Sequence, residues 1–455
     1  MPYGYLLPHP PLIIPGVGKG NEIPDTRLAM QQIAAAIKEQ APHTLVIISP
    51  HSILYEDYFH IAPGRQASGN FGAFNAKNIG FSVEYDSDLA ELIGDTAQRA
   101  LLPAGGLGER QRELDHGILI PLYFLAEVMA LPPIVRISLS GLSLTDHYRM
   151  GMCISQAGRA LGRRLTVLAS GDMSHRLKED GPYGYHPIGP EFDGFVKKCI
   201  QEADTEGLLS ISHKLSEQAA ECGLRGLIMM LGALDGYRVE SRLLCYEGPY
   251  GVGYLTAAFY ADQESPSLLP TLLAAKNTRL SQTRQAEDAY TNLARLNTEH
   301  FVQSGNCLEL PQDLPAELLN QKAGVFVSIK KNGRLRGCIG TISPIREHIA
   351  AEIIENSISA ASRDLRFDPI QEDELADLTY SVDVLSPAEP IQGPEQLDVL
   401  RYGVIVSHGH KRGLLLPHLE GVDTVEQQID IARQKAGISP HENYTLERFE
   451  VKRHT

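Results

Sequence analysis

The sequence predicts an N-terminal mixed α/β domain followed by an α+β domain, and three observations lead there. Between residues 25 and 262, helical periods alternate with short, continuously apolar runs of strand length, as βαβ units do. From residue 324 onward the pattern changes to hairpins of alternating polar and apolar residues, the mark of antiparallel sheet. A chain of 455 residues is also too long for one ordinary core.

Taken in order, Asp25 is placed to cap a helix whose Leu28, Ile33 and Ile37 share one side, and TLVIISP (44–50) follows as a buried strand ending at Pro50-His51. FSVEY (81–85) leads into a helix capped at Asp86 or Ser87, and LPPIVRISLS (131–140) into one starting near Ser143. LTVLASGD (165–172) is a further buried strand, running into a Gly-Asp turn and then His175. Open α/β sheets bind ligands at the carboxyl ends of strands, so His51 and His175 already stand where a site is expected. QESPSLLP and the small polar residues after it carry no clear period until a helix near Asp288, which sets a linker at 266–284 between domains of 1–265 and 285–455. In the second domain GVFVSIKKNGRLRGCIGT (324–341) reads as two strands about Asn332-Gly333, a strong hairpin signal. A helix over about 344–363, the strand DLTYSVDVL (377–385), a hairpin across 402–417, a helix from Thr424 and a strand from Leu446 to Val451 complete the expectation.

Composition narrows the function classes. A formal net charge of −15 disfavours nucleic acid and anionic membranes as partners, since both need a positive field. The six cysteines form no CxxC pair, which fits reduced thiols and a cytoplasmic protein better than a disulfide scaffold or zinc ribbon. No apolar run approaches the roughly 18 residues that span a bilayer, and the N-terminus lacks the basic flank of a secretory signal. Oligomeric state is not legible, and a homo-oligomer stays open. The sixteen histidines carry the argument, because histidine is both the commonest metal ligand and the acid–base group of neutral pH.

Five segments offer side chains able to bind metal or move protons: LLPHPPLIIP with His9, IISPHS with His51, ELDHGILIPL with Asp115 and His116, ASGDMSH with Asp172 and His175, and AECGLRGLIMMLGAL with Glu221 and Cys222. Each histidine alone reads more plainly as a hydrogen-bonded structural residue. Together, two neutral imidazoles on stiff, proline-flanked backbone and one carboxylate would make the facial triad of a non-haem Fe(II) enzyme. Glu221 is the first choice of carboxylate, at the head of an apolar helical segment; its plainer reading is a helix N-terminal carboxylate. Glu247 competes for the role. Asp172 either orients His175 or caps its turn, and Tyr183, Tyr185 and His186 are candidates for a pocket lining.

These five segments, as a set, resemble the class III extradiol ring-cleavage dioxygenases of the protocatechuate 4,5-dioxygenase catalytic-subunit type, and their relative MEMO, over about residues 1–262. The resemblance implies His9, His51 and Glu221 as iron ligands, His175 as the acid–base histidine, and His116 as a second active-site histidine oriented by Asp115. MEMO-like proteins use a cysteine as third ligand, and here Glu221 and Cys222 are adjacent. The implied function is an Fe(II)-dependent oxidoreductase that cleaves a catechol- or aminophenol-like ring with O2. A metal-binding redox protein of the MEMO sort, with copper or iron and no ring cleavage, is the alternative, zinc being a further candidate ion. A non-catalytic adaptor is the third reading.

Residues from about 285 resemble the AMMECR family, through GRLRGCIGT (333–341), GVFVSI (324–329) and GLLLP (413–417). Cys338 lies between Gly337 and Gly340 next to Arg336, so it is either a reactive thiol of lowered pKa or a small residue of a tight sheet. His418 is the nearest candidate proton partner. The two families are commonly associated with a radical S-adenosylmethionine protein, which the resemblance therefore implies as a partner.

Overall fold

The computed structural model describes residues 3–108, 110, 113–419 and 421–455, and the chain folds as two compact units, Met1–Ala275 and Lys276–Thr455. The first unit is built on a six-stranded mixed sheet. Its order is Ile134–Ser138, Thr44–Ser49, Leu165–Ser170, Tyr3–Leu7, Tyr254–Glu264 and Tyr237–Glu247, the first four parallel to one another and the last two antiparallel additions. Ile134–Ser138, Thr44–Ser49 and Leu165–Ser170 are buried at every residue, which is why they read as unbroken apolar runs. Alternate side chains of Thr44–Ser49 enter two separate cores: Val46 and Ile48 face one, Leu45 and Ile47 the other. Helices therefore cover both faces, with Pro24–Gln40 and His116–Ala126 on one side and Ser87–Arg99, Leu144–Ala160 and Leu224–Ala233 on the other.

Helix starts follow local chemistry. Asp86 accepts the Leu89 amide and Ser143 the Asp146 amide, each capping the helix that follows it. The first helix departs from expectation. Asp25 lies inside its first turn, and the carboxylate that receives the Thr26 amide at 2.7 Å belongs to Glu247, far along the chain. Leu28 is 54% exposed, while Ala29, Met30 and Ala34 share the buried side with Ile33 and Ile37. FSVEY falls in the second strand of an antiparallel hairpin, Gln66–Phe71 with Ala76–Glu84, whose first strand no sequence pattern announced; its turn carries Phe74.

The second unit is a seven-stranded antiparallel sheet ordered Arg334–Gly340, Val325–Lys331, Leu378–Leu385, Thr445–His454, Tyr402–His408 and Lys411–Leu415, with Glu389–Ile391 also on Thr445–His454. Asn332 and Gly333 both take positive φ, 52° and 81°, as the two-residue turn requires. The helices Ala289–Ser304 and Ile349–Ser362 cover one face over Val325, Val327, Ile329 and Val382. Residues 269–286, where the sequence shows no period, form one helix; only Leu272 in it is buried, so no apolar stripe is written there.

Two glycines set how closely the helices Leu144–Ala160 and Leu224–Ala233 pack. A methyl on Gly232 would stand 1.9 Å from the Tyr148 carbonyl oxygen, and one on Gly151 at 1.9 Å from that of Met229. Alanine gains about 1 kcal/mol of helix propensity over glycine, but the backbone overlap outweighs it. Gly232→Ala is expected to destabilise the chain by roughly 1–3 kcal/mol, read as a lowered urea midpoint. A raised midpoint would show that the two helices separate freely.

Candidate functional site

Three adjacent parallel strands end at one rim. His9 follows the Tyr3–Leu7 strand, His51 follows Thr44–Ser49, and Leu165–Ser170 leads into Asp172 and His175. The imidazoles of His9 and His51 face each other with Nε2 atoms 3.0 Å apart, and the Cys222 Sγ lies 3.7 Å from the same His9 Nε2. One ligand atom from each of the three residues falls within 4.8 Å of the others.

Each is held by its backbone surroundings. The His9 amide donates to Asp172 Oδ1 at 2.9 Å, and His9 Nδ1 lies 3.0 Å from Ser170 Oγ, which orients the ring and leaves Nε2 for the cluster. Asp172 therefore serves His9, with its second oxygen 3.8 Å from Nε2, in addition to shaping the turn. The Asp172 amide reaches Cys222 Sγ at 3.2 Å, and the Cys222 amide donates back to the Asp172 carbonyl at 3.2 Å. Glycine permits this docking, since a Cβ on Gly171 would lie 2.3 Å from the Gly223 Cα.

Asp115 ties two more parts together. It caps the His116–Ala126 helix by accepting the Ile118 amide at 3.2 Å, and accepts the hydroxyls of Ser49 at 2.6 Å and Ser52 at 2.8 Å on either side of His51. The His116 ring centroid is thereby 4.0 Å from that of His51 and 5.2 Å from that of His9, and Phe74 of the hairpin turn packs on it at 5.5 Å. His175 stands on the turn after Asp172, its Nδ1 buried without a hydrogen-bond partner and its ring 5.6 Å from that of Tyr183. Tyr183 and Tyr185 are largely exposed, and the Nδ1 of His186 accepts the Ile188 amide at 3.2 Å.

Burial sets the protonation states. It lowers His9 to about 3, helped by His51, and His116 to about 3, helped by His51 and His9; burial lowers His51 as well. All three rings are neutral at pH 7, the form that ligates metal. Burial pushes the Cys222 thiol well up, with Asp172 adding to it, and raises Asp172 to about 6. Two neutral imidazoles turned Nε2 to Nε2 beside a partly buried sulfur make a donor set that fits iron, copper or zinc.

The structure does not bring Glu221 to this cluster. Its Oε1 accepts the Ser216 hydroxyl at 2.5 Å and its Oε2 the Leu224 amide at 2.7 Å, so the carboxylate is occupied at the start of the Leu224–Ala233 helix. Glu247 is likewise elsewhere, accepting both the amide and the hydroxyl of Thr26 at 2.7 Å. The third position is faced instead by Cys222. A cavity of about 1150 Å³ beside Arg65, Glu84, Asp86 and Asp95 includes none of these residues.

In the second unit the Arg336 guanidinium, expected beside Cys338, pairs with Glu374 at 2.8 and 3.0 Å. Cys338 Sγ instead receives the Ser328 hydroxyl at 3.2 Å. His418 takes a positive φ of 54°, its amide donating to Val399 at 2.7 Å, and among the described residues no contact joins it to Cys338.

Comparison with known proteins agrees with this division. The profile described as the catalytic LigB subunit of aromatic ring-opening dioxygenase matches residues 3–258, and that of AMMECR1 matches residues 291–454. Protein CA_C1420 of Clostridium acetobutylicum is 40% identical over 460 residues, covering 99% of this chain and 98% of that protein. A protein of Thermotoga maritima is 46% identical over 170 residues, 37% of this chain and 98% of its own length. The crystal structure of uncharacterized protein PH0010 from Pyrococcus horikoshii aligns with 32% identity and a TM-score of 0.35, covering 37% of this chain and 91% of that one. The chain belongs to the family of the catalytic LigB subunit of aromatic ring-opening dioxygenases and carries an AMMECR1 domain at its C-terminal end.

Proposed function

We propose that the first unit is a metal-dependent oxidoreductase whose ion is held by His9, His51 and Cys222, a redox centre of the MEMO sort that takes iron or copper. The convergence of two imidazole nitrogens and one partly buried sulfur, all within 4.8 Å, carries the reading. When bound, such an ion supplies one-electron chemistry and a positive charge that stabilises the thiolate. The protein's own part is to present His9 and His51 neutral, to fix His9 through Ser170 and Asp172, and to accept the proton that Cys222 gives up on ligation. The Asp172 backbone, whose amide and carbonyl both touch Cys222, holds the sulfur in place for ligation.

Ring cleavage of a catechol- or aminophenol-like substrate with O2, using Fe(II), is the second reading. Two observations favour it: the family match over residues 3–258, and the placement of two histidines beside the cluster without a ligand role. His175 would exchange a proton with the substrate hydroxyl through the Nδ1 that has no protein partner, and His116, fixed by its helix start, would donate to or accept from a second oxygen.

Metal analysis of the purified full chain tests the ligand set. Cys222→Ser and His51→Ala are expected to lower metal occupancy by about tenfold or more, since even changes beyond the ligands have effects of that order. Glu221→Gln should leave occupancy intact while costing about 1 kcal/mol of stability, because one of the two hydrogen bonds that the carboxylate accepts is lost and the other is no longer charge-assisted. Metal retained in Cys222→Ser and lost in Glu221→Gln would reverse the assignment.

Oxygen consumption separates the two readings. The iron- and copper-loaded chain, offered a panel of catechols and aminophenols, is expected to take up no more O2 than the metal-free chain. Substrate-dependent uptake by the iron form that disappears in His175→Ala would establish ring cleavage instead.

A further inference from the structure

The sheet of the first unit has one closed edge and one open edge. Backbone bridges from Ile61 to Ile137 and from Tyr85 to Ile134 run along the outer side of Ile134–Ser138. At the opposite edge, Tyr237–Glu247 pairs with Tyr254–Glu264 on one side and, among the described residues, with no strand on the other. A groove of about 720 Å³ lies beside it, lined by Leu28 of the Pro24–Gln40 helix, Lys197 of the Ile188–Gln201 helix and the strand residues Leu243–Tyr246. An unpaired row of N–H and C=O groups is ordinarily blunted by a proline, a bulge or charges that repel a second strand. This strand, YRVESRLLCYE, contains no proline and carries charges of both signs. Its register shifts lie towards the two ends, so that Val239–Leu243 runs unbroken against Ala257–Ala261.

The order of the charges suits one partner. Two copies of a strand that meet antiparallel share a two-fold axis, so one residue faces its own copy and its neighbours face each other across it. With the axis at Glu240, that residue faces itself and Arg238 faces Arg242; with the axis at Arg242, that residue faces itself. Like charges directly opposite are destabilising in either register. With the axis at Ser241, Glu240 of each copy faces Arg242 of the other, and Val239 of each faces Leu243 of the other. Ser241 is also the centre of the unbroken stretch. Glu240 and Arg242 are both exposed, and among the described residues Arg242 makes no ion pair. Glu240 has only Arg238 at 3.9 Å, a side chain already paired with Asp262.

We propose that the open edge binds a second copy of this chain, Tyr237–Glu247 pairing antiparallel with itself about Ser241. The two six-stranded sheets then form one continuous sheet, closed by main-chain hydrogen bonds, two Glu240–Arg242 pairs on one face and two Val239–Leu243 pairs on the other. The interface rests on nothing in the metal cluster.

Sedimentation of the full chain is the test. The wild-type protein is expected to sediment at twice the 49.9 kDa of a single copy. Arg242→Glu replaces attraction by repulsion at both charge pairs and is expected to weaken association by about tenfold or more. Combining Glu240→Arg with Arg242→Glu exchanges the charges and should restore it. Ser241→Cys, mildly oxidised, should yield a disulfide that joins position 241 of two copies, identified by peptide mass spectrometry, since directly opposed Cα atoms about 4.5–5.5 Å apart are within disulfide reach. A wild-type chain that stays monomeric at roughly 0.1 mM, its edge bare or filled by a strand of another protein, would overturn the proposal. A dimer that Arg242→Glu leaves intact, a double variant that stays apart, or the absence of the link at position 241 would overturn it equally. The wild-type mass and the link decide the matter where a charge variant does not fold.

Discussion

Gly171 and Gly223 meet backbone to backbone, with room for no side chain at the first, and this approach brings a helix entry onto the end of a parallel strand. The neighbours of the two glycines then clasp each other, Asp172 and Cys222 exchanging contacts in both directions between amides, a carbonyl and the sulfur. Because Asp172 also receives the His9 amide, one short turn fixes both the thiol and one imidazole. His51 enters from the neighbouring strand end and needs only its own loop, braced by Asp115, to complete the cluster.

The two units answer different physical problems. In the first, four parallel strands buried on both faces concentrate the polar groups at their carboxyl ends, where the chain leaves the sheet and side chains can converge. In the second, the sheet face turned away from the helices Ala289–Ser304 and Ile349–Ser362 carries serines, a cysteine and paired charges beside a smaller apolar cluster of Leu385, Ile405, Leu414 and Phe449. The first unit thus gathers its polar groups at strand ends, and the second arranges them by strand register.

Much of this was legible in the sequence wherever a local rule governs. Continuous apolar runs marked the central strands; Asp86, Ser143 and Thr424 marked helix starts; and Asn332-Gly333 marked a turn that needs two positive φ angles. His9 and His51 could be placed at strand ends by the same means. Which residue joins the two histidines could not be read, because Glu221 and Cys222 are consecutive and only the path of the chain decides which one faces them. Glu247 was misleading for a related reason: its partner Thr26 lies 221 residues away, and no local pattern announces a cap supplied from that distance. Leu28 was read inward from its spacing with Ile33 and Ile37, yet the covered stripe of its helix runs through Ala29 and Met30. Cys338 shows the same limit, since the charged groups that touch its backbone, Asp364 and Arg366, come from a segment beyond the next helix rather than from Arg336 near it in sequence.

The hairpin that places Phe74 on His116 pairs Gln66 with Glu84 at its base, so its register is closed before its tip is reached. Such a flap can change length or composition at the tip while the sheet and the histidines stay where they are. Chains that share one rim of strand-end histidines can in this way diverge in the space left beside it, with an aromatic side chain on a peripheral turn setting that space.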